Sequence, residues 1–149
     1  MQVRMTRVRE GVEIPPYMTS GSVAFDIASA IDIAIPPKTM TSVPTGLIIA
    51  TPEGYALIIA SRSSLFRKKN LLLANNIGII DQDFCGPTDE IQLQLWNPTE
   101  TEVTVTKNER LAQGLFLKIE RATWEEGLAT GPSRGGLGSS GGYQKQEKG

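Results

Sequence analysis

Two acids, Asp81 and Asp83, end the apolar segment NNIGIIDQDFCG, which runs from Asn75 to Gly86. Asp81 could orient a water molecule as a general base. The amide of Asn75 offers a donor and an acceptor to the edge of a base, and Phe84 could stack on a sugar or base. A plain hairpin turn, with the acids at turn positions and Phe84 in the core, explains the same residues equally well.

A second segment that could carry chemistry is ASRSSLFRKK, residues 60–69. Ser63 and Ser64 follow an apolar strand and precede a helix start, where outward-pointing backbone N–H groups favour anions. Arg62 adds a fork-shaped donor for phosphate oxygens. Taken alone, the segment is better interpreted as a solvated turn followed by a basic helix face.

Three further segments hold polar residues in unusual surroundings. Asp26 interrupts the apolar FDIAS (25–29), and Gln113 lies within the apolar strand of NERLAQGLF (108–116). The glycine-rich SRGGLGSSG (133–141) combines an arginine with small hydroxyls, which suits a lid over a phosphate. The ordinary interpretations are a solvent-facing acid, a polar residue on an edge strand and a disordered tail.

The residues that are missing restrict the chemistry. There is no histidine, which excludes Ser-His-Asp and Cys-His catalysis and every histidine-based zinc site. The single cysteine, Cys85, can form no internal disulfide and alone holds no structural zinc. Acid–base work therefore falls mainly to carboxylates, and any metal should be a hard ion held by oxygen, with Mg²⁺ as the first choice.

Charge and hydropathy limit the partners. The net charge of −1 gives no electrostatic reason to expect binding to a nucleic acid backbone. No apolar run is long enough to span a membrane. The charged start MQVRMTRVREGVEI lacks the apolar core of a signal peptide, so we expect a cytoplasmic protein.

Alternation of polar and apolar residues predicts an all-β fold. It occurs in IDIAIPP (31–37), EIQLQLWN (90–97) and TEVTVTKN (101–108), and it is typical of half-buried strands. Many short strands joined by Gly- and Pro-containing turns indicate a sandwich, jelly roll or barrel.

Two local predictions complete this outline. The segments 45–52 and 54–61 flank Pro52-Glu53-Gly54 and are predicted to form a hairpin. The best helix candidate is short, SSLFRKKN at 63–70. The length fits one domain, which we divide into a body, residues 1–130, and a flexible tail, residues 131–149.

The order of the five segments along the chain matches a known set of motifs. FDIAS, SRSSL, NNIGIIDQDFCG, NERLAQ and GGLGSSG, spread from about residue 21 to residue 141, resemble the five motifs of the trimeric dUTPases. GIIDQDF followed by glycine, with RLAQ downstream, is the most specific part. The resemblance implies a distorted jelly-roll or β-barrel subunit of the β-clip type, with one short helix and a flexible glycine-rich tail.

The resemblance also implies an activity. Members of the family convert dUTP to dUMP and pyrophosphate with Mg²⁺, by attack of water on the α-phosphate, which limits uracil in DNA and supplies dUMP. They are homotrimers with active sites at the subunit interfaces, where the tail closes over a site. Neither a nucleic acid nor a membrane is an expected partner.

Residue roles follow from the resemblance, position by position. Asp81 matches the acid that positions the attacking water, and Asp26 matches an acid that reaches Mg²⁺ only through its water shell. The substrate-binding positions are Arg62, Ser63, Ser64 and Gln113 for the phosphates, Asn75, Gly78, Ile80 and Phe84 for the base and sugar, and Arg134, Gly136, Leu137, Gly138, Ser139 and Ser140 in the tail.

The sequence departs from the family pattern at several positions. Phe84 stands where most members carry tyrosine, so stacking is kept but a phenol hydrogen bond is lost. Leu137 stands where the tail usually has phenylalanine over the uracil, and Ser64 replaces a common glycine. Pro87-Thr88-Asp89 resembles a short insertion.

Two alternatives remain at this stage. The dCTP deaminases share the RSS and RIAQ-like segments, but Gln94 stands where they use a glutamate, and glutamine cannot shuttle protons. A catalytically weak nucleotide-binding or regulatory protein on the same scaffold is the other alternative. The intact Asp81 favours retained catalysis over that reading.

Overall fold

The computed structural model describes residues 1–136. Over this range the chain forms short strands and one five-residue helix, so the prediction of an all-β fold with a short helix is confirmed. The elements are β1 Met5–Arg7, β2 Phe25–Ala28, β3 Ile33–Ile35, β4 Met40–Pro44, β5 Leu47–Ile49, β6 Tyr55–Ser61, α1 Leu65–Lys69, β7 Leu72–Leu73, β8 Ile77–Ile80, β9 Gln92–Trp96, β10 Val103–Val105 and β11 Arg110–Lys118.

These strands form four antiparallel sheets, in which most paired strands are far apart in the chain. The largest has the order β2-β11-β6-β8, and a second has the order β4-β9-β7. The pairs β1-β5 and β10-β3 complete the set within residues 1–136. The arrangement is jelly-roll-like, and across this described range the sheets do not close into a barrel. No helix of these residues has the length and apolar character needed to cross a membrane.

The predicted hairpin between residues 45–52 and 54–61 is wrong. The turn exists, because the Tyr55 N–H donates to the Pro52 carbonyl at 3.1 Å and Gly54 has a φ of +76°. However, β5 pairs with β1, whereas β6 pairs with β11 and β8. A turn motif predicts only that the chain reverses, and the burial of two apolar strands in different sheets chooses their partners.

One core joins the four sheets. It takes Leu57 from the largest sheet, Leu95 from the second, and Ile49 and Ile35 from the two small ones, all buried. The alternation predicted for EIQLQLWN is present, since Leu93 and Leu95 are buried while Gln92 is exposed. Packing against a shared core therefore holds each short strand in place, since none is long enough to be stable alone.

Strand β11 organises the largest sheet, because it pairs with β2 on one side and β6 on the other. Gly114 allows the close approach of β2, since a Cβ there would lie 2.5 Å from the ring of Phe25. Leu57 and Ile59 of β6 face the core, so alternation turns Ile58 and Ala60 to the opposite, outer face of the sheet. That outer face carries the polar residues described next.

Candidate active site

The register of β6 and β8 separates the sequence motifs into two groups. Ile80 pairs with Leu57 and Ile77 pairs with Ala60, so the two strands run in opposite directions. Asp81 therefore lies beside the start of β6, whereas Arg62 follows its end. At about 3.3 Å per residue, the chain from Ala56 to Arg62 spans about 20 Å. We call these two places the Asp81 end and the arginine end.

Three charged side chains meet at the arginine end. The Arg62 Nε lies 3.0 Å from Asp26 Oδ1, and an NH1 nitrogen of Arg110 donates to Asp26 Oδ2 at 3.2 Å. The Asp26 side chain is only 10% exposed. The interpretation of Asp26 as a solvent-facing acid is therefore wrong, because a carboxylate this buried needs charged partners.

Arg110 was missed in the sequence analysis. It opens β11 and lies in the RLAQ segment, three residues before Gln113, which faces Asp26 across the β2-β11 pair. A usable signal was present, since an acid within an apolar strand calls for a nearby cation. Arg62 NH1 also donates to the Arg110 carbonyl at 3.2 Å, which joins the two arginine segments directly.

The turn after β6 leaves its hydroxyls available. Ser64 is the N-cap position of α1 but makes no side-chain capping bond, and Ser63 is exposed. The turn itself is closed by the Leu65 N–H, which donates to the Arg62 carbonyl at 3.0 Å. An open cavity of about 520 Å³ lies beside it, lined by Arg62, Ser64, Leu65, Lys68, Lys69, Asn108, Glu109 and Arg110.

Gln113 belongs to the same end. It pairs with Ala60 on β6 and with Asp26 on β2. Its Nε2 donates to the Ser61 carbonyl at 3.0 Å, which fixes the amide next to the turn. The structure therefore brings Asp26, Arg62, Ser64 and Gln113 into one neighbourhood.

The Asp81 end is built differently. Asp81 is exposed, and its carboxylate has no hydrogen-bond or ion-pair partner among residues 1–136. The turn that carries Asp81 is bound to the start of β6, because Gln82 Nε2 donates to the Tyr55 carbonyl at 3.1 Å. The cavity at this end has a volume of about 500 Å³ and is lined by Tyr55, Ala56, Ile80, Asp81, Gln82, Asp83, Ile119 and Arg121.

Residues 81–91 contain no strand that returns along β8, so the segment is a strand followed by turns and not a two-stranded hairpin. Phe84 lies in these turns and is 38% exposed, which rules out the interpretation that it belongs to the core. The insertion forms its own tight turn, in which the Gly86 N–H donates to Asp89 Oδ2 at 2.7 Å.

The other predicted binding positions lie along β8 and beyond β11. Asn75 is exposed just before β8, and Gly78 stands close to it, since a Cβ on Gly78 would lie 3.8 Å from Asn75 Nδ2. Ile80 ends the strand. Arg134 and Gly136 are exposed, in a segment that has neither helix nor strand. Leu137, Gly138, Ser139 and Ser140 lie outside the described residues.

The described residues contain no preformed cluster of metal ligands. No group of three or more Asp, Glu or Cys side chains within residues 1–136 is arranged to bind an ion. Each carboxylate oxygen of Asp26 contacts a guanidinium. A carboxylate oxygen still has a further lone pair, which could accept a hydrogen bond from water. Asp26 therefore fits a metal ion that it contacts through one of the ion's water molecules and that other ligands hold directly.

Comparison with known proteins gives a consistent answer. The dUTPase family model matches residues 10–141. A deoxyuridine 5'-triphosphate nucleotidohydrolase of Lactococcus lactis is 35% identical over 134 residues, which cover 88% of this chain and 89% of the relative. The protein of the same name from Dictyoglomus turgidum is 35% identical over 148 residues, which cover 95% and 99%.

Solved structures share the fold. A dUTPase from Streptococcus mutans superposes with a TM-score of 0.77 at 27% identity, covering 83% of this chain and all of that one. A Staphylococcus bacteriophage 80alpha dUTPase with dUpNHpp gives 0.84 at 19% identity, covering 94% and 98%. A dUTPase mutant from phage phi11 of S. aureus, whose structure addresses coordination of a structural Mg(II) ion, gives 0.75 at 18% identity, covering 85% and 96%.

Proposed function

The chain belongs to the dUTPase family, and from this premise we propose that it hydrolyses dUTP to dUMP and pyrophosphate. The reaction would limit uracil in DNA and supply dUMP. The observation that carries the proposal is the state of Asp81, an exposed carboxylate without a protein partner in residues 1–136 at the edge of an open cavity. A carboxylate in that state is free to hold a water.

Asp81 accepts a hydrogen bond from the attacking water and takes up its proton as the oxygen bonds to the α-phosphorus. The bond between the α-phosphorus and the bridging oxygen breaks, and pyrophosphate leaves with the bonding electrons. Asp83 does not share this role and shapes the turn. No observation favours the deaminase alternative, since Gln94 Nε2 is bound to Ser42 Oγ at 3.2 Å, a contact that has no part in acid–base work.

The arginine end binds the phosphates. Arg62 offers a planar set of donors, and the hydroxyls and backbone of Ser63 and Ser64 add neutral ones. Gln113 stands beside them through its bond to Ser61. Arg110 acts through Asp26, because the carboxylate that it shares with Arg62 fixes the direction of the Arg62 guanidinium.

The nucleoside is bound along β8. The backbone near Gly78 and Ile80 reads the uracil edge, and Phe84 packs under the deoxyribose and leaves no space for a 2′-hydroxyl. Asn75 lies at the opposite end of β8 from Asp81, and its place near the uracil edge rests on the resemblance. The exposure of Phe84 and Asn75 supports these roles, since both are accessible to a ligand. The tail from residue 131 is a lid, in which Arg134 and Gly136 precede Leu137, Gly138, Ser139 and Ser140.

Mg²⁺ is the metal that we propose for the reaction. The substrate phosphates would hold the ion, and a free lone pair of Asp26 would accept a hydrogen bond from one of its waters. When bound, the ion neutralises charge on the phosphates and so favours departure of pyrophosphate. The lack of a preformed cluster of metal ligands among the described residues supports this indirect arrangement.

A homotrimer with shared sites, as the resemblance to the trimeric dUTPases implies, is the assembly that we propose, and the distance between the two ends supports shared sites. Asp81 and the Arg62 turn act on the same phosphate chain, yet one subunit holds them about 20 Å apart. The Asp81 end of one subunit therefore meets the arginine end of the next. An acidic end meeting a basic end is a head-to-tail contact, which closes into a ring when repeated around a rotation axis.

The outer face of the largest sheet supplies the surface between subunits. Ile77, Ile79 and Leu117 are 53%, 66% and 47% exposed there, and Ile58 and Leu115 are half-buried. An apolar strip of this kind between two polar ends is typical of a surface that another subunit covers. A cytoplasmic location stays a prediction from the sequence.

The test is pyrophosphate release by the purified protein with Mg²⁺, with dUTP, dCTP, dTTP and UTP offered separately. We expect release from dUTP alone. Release from UTP would contradict the role of Phe84, and ammonia from dCTP would revive the deaminase alternative. No release from any of the four by the folded protein would overturn the proposed function.

A further inference from the structure

Two cations of the cavity at the arginine end, Lys68 and Lys69, lie outside the five motifs. Lys68 lies on α1 and its backbone N–H donates to the Ser64 carbonyl at 2.9 Å. Residues four apart share one face of a helix, and helical side chains lean toward the N-terminal end. The Lys68 side chain therefore reaches back toward the turn that carries Arg62 and Ser64, and it lines the same cavity of about 520 Å³.

The other cations of this cavity already have partners. Arg62 and Arg110 share the carboxylate of Asp26, at 3.0 and 3.2 Å. Lys69 lies 3.0 Å from Glu109 Oε1 and also donates to the Thr104 carbonyl at 2.7 Å. Lys68 has no ion-pair partner in the part of the chain that the structure describes and is exposed.

This distribution leaves the cavity short of positive charge for a polyphosphate. The carboxylate of Asp26 offsets one of the two guanidiniums, and Glu109 offsets Lys69. Lys68 is thus the cation of the cavity that contacts no carboxylate within residues 1–136. An ammonium on a long flexible stem presents its donors in several directions, which suits a terminal phosphate with three equivalent oxygens.

We propose that Lys68 binds the terminal phosphate of the substrate and thereby makes the site prefer nucleoside triphosphates to shorter nucleotides. This inference rests on the proposed function and adds to it a residue that selects for phosphate-chain length. Lys68 touches the end of the chain that leaves, so it contributes to binding and leaves the water attack to other groups.

The test compares Lys68→Gln with Arg67→Gln. Arg67 is on the same helix, is exposed and likewise has no ion-pair partner within residues 1–136, but it does not line the cavity. Both changes remove one positive charge. The readouts are the dissociation constants of a non-hydrolysable dUTP analogue and of dUMP, measured by calorimetry with Mg²⁺, together with KM and kcat for dUTP.

Lys68→Gln is expected to weaken analogue binding by about tenfold, the size of one charge-assisted hydrogen bond, and to raise KM in proportion. Binding of dUMP stays at the wild-type level. Arg67→Gln should change each value by less than about twofold, because a remote exposed charge is screened. Lys68→Arg, which keeps the charge, should recover most of the analogue affinity.

Three results would overturn the inference: unchanged analogue affinity in Lys68→Gln, an equal loss in both variants, or an equal loss of affinity for dUMP. Circular dichroism of the variants identifies a folding defect, which the exposure of Lys68 makes unexpected. The binding readout is separate from turnover. A wild-type protein that fails to release pyrophosphate contradicts the proposed function, whereas active wild type with unaffected Lys68→Gln contradicts only the role of Lys68.

Discussion

The two ends of the largest sheet hold acids in opposite states. At the arginine end, the Asp26 side chain is 10% exposed and both of its oxygens are bound by guanidiniums. At the Asp81 end, the carboxylate is exposed and without a partner among residues 1–136. A paired carboxylate fixes its neighbours, whereas an unpaired one can bind and deprotonate a water. The contrast supports the proposal that Asp26 builds the site and that Asp81 takes part in the reaction.

The distance between the two ends is the reason for the proposal that they come from different subunits. Strand β6 keeps them about 20 Å apart in one chain, and no side chain bridges such a distance. The apolar strip between them, which includes the exposed Ile79, is the surface that we propose for packing between subunits. Each subunit would therefore contribute a reactive end to one neighbour and a binding end to the other.

The largest expected effect comes from Asp81→Asn. Removing the acceptor for the water proton should lower kcat by about a thousandfold. Binding of a non-hydrolysable dUTP analogue and the free energy of unfolding should stay unchanged, because the carboxylate makes no contact in the described residues. Pyrophosphate release and calorimetry measure these quantities.

Asp83→Asn is the matched control, since Asp83 lines the same cavity and differs by the same single charge. It should keep most of the activity. Loss of analogue binding in Asp81→Asn with turnover preserved would refute the catalytic role. Equal losses of kcat in the two variants would show that the cavity needs charge and not one specific acceptor.

A smaller effect, of a different kind, is expected from Asp26→Asn. The change leaves two guanidiniums facing each other without an anion, at a site that is mostly closed to solvent. The free energy of unfolding should fall by about 1–3 kcal/mol, which is less than for a fully buried ion pair, because both arginines are partly exposed. Urea unfolding at a fixed protein concentration measures it.

Asp26→Asn also sharpens the comparison between the two ends. If its unfolding curve matches that of the wild type, Asp26 is not a structural anchor and the contrast with Asp81 fails. If its stability falls while KM rises, the acid both supports the fold and orients Arg62.

The smallest effect is expected at a pair outside both ends. The two hydrogen bonds from Arg9 to Glu90, at 2.7 and 2.8 Å, lower the pKa of Glu90 below its ordinary value of 4.5. Burial opposes this shift, and the Gly46 N–H, donating at 2.7 Å, adds to it. Since the folded pKa is depressed, the stabilisation is complete above pH 4.5 and is lost as the pH falls through the folded pKa.

Glu90→Gln should therefore make the free energy of unfolding depend less on pH in the acid range. The variant should lose less stability than the wild type between about pH 7 and about pH 3, and at neutral pH it should cost less than about 1 kcal/mol. Urea unfolding across this pH range checks the prediction. A steeper acid loss in the variant would contradict it, and kcat at neutral pH should match the wild type.

The sequence predicted what depends on local pattern. The period-2 alternation of EIQLQLWN gave β9, and SSLFRKKN contained α1, because neighbouring residues decide the periodicity of a strand and a helix start. The hairpin at Pro52-Glu53-Gly54 failed because strand partners depend on residues far away in the chain. The β5-β1 and β6-β11 pairs bury surface that no local pattern indicates.

The order of the motifs indicated which residues belong to the site, but it did not indicate the distances between them. NNIGIIDQDFCG contains both Asn75 and Asp81, yet the sequence gives no hint that β8 carries them to opposite ends of β6. Arg110 was missed since its partner, Asp26, comes 84 positions earlier in the chain. The apolar neighbours of Asp26 indicate that it needs a cation, but which cation binds it becomes visible only after the strands have been paired.

The most direct measurement mixes two inactive variants, Asp81→Asn and Arg62→Gln, by unfolding and refolding them together. Each variant alone has one damaged end in every shared site. In random trimers, a site formed by an intact Asp81 and an intact Arg62 from different subunits occurs at about one interface in four. We predict recovery of pyrophosphate release to about a quarter of the level of refolded wild type. A mixture no more active than its two components, while refolded wild type stays active, would contradict an active site shared between subunits.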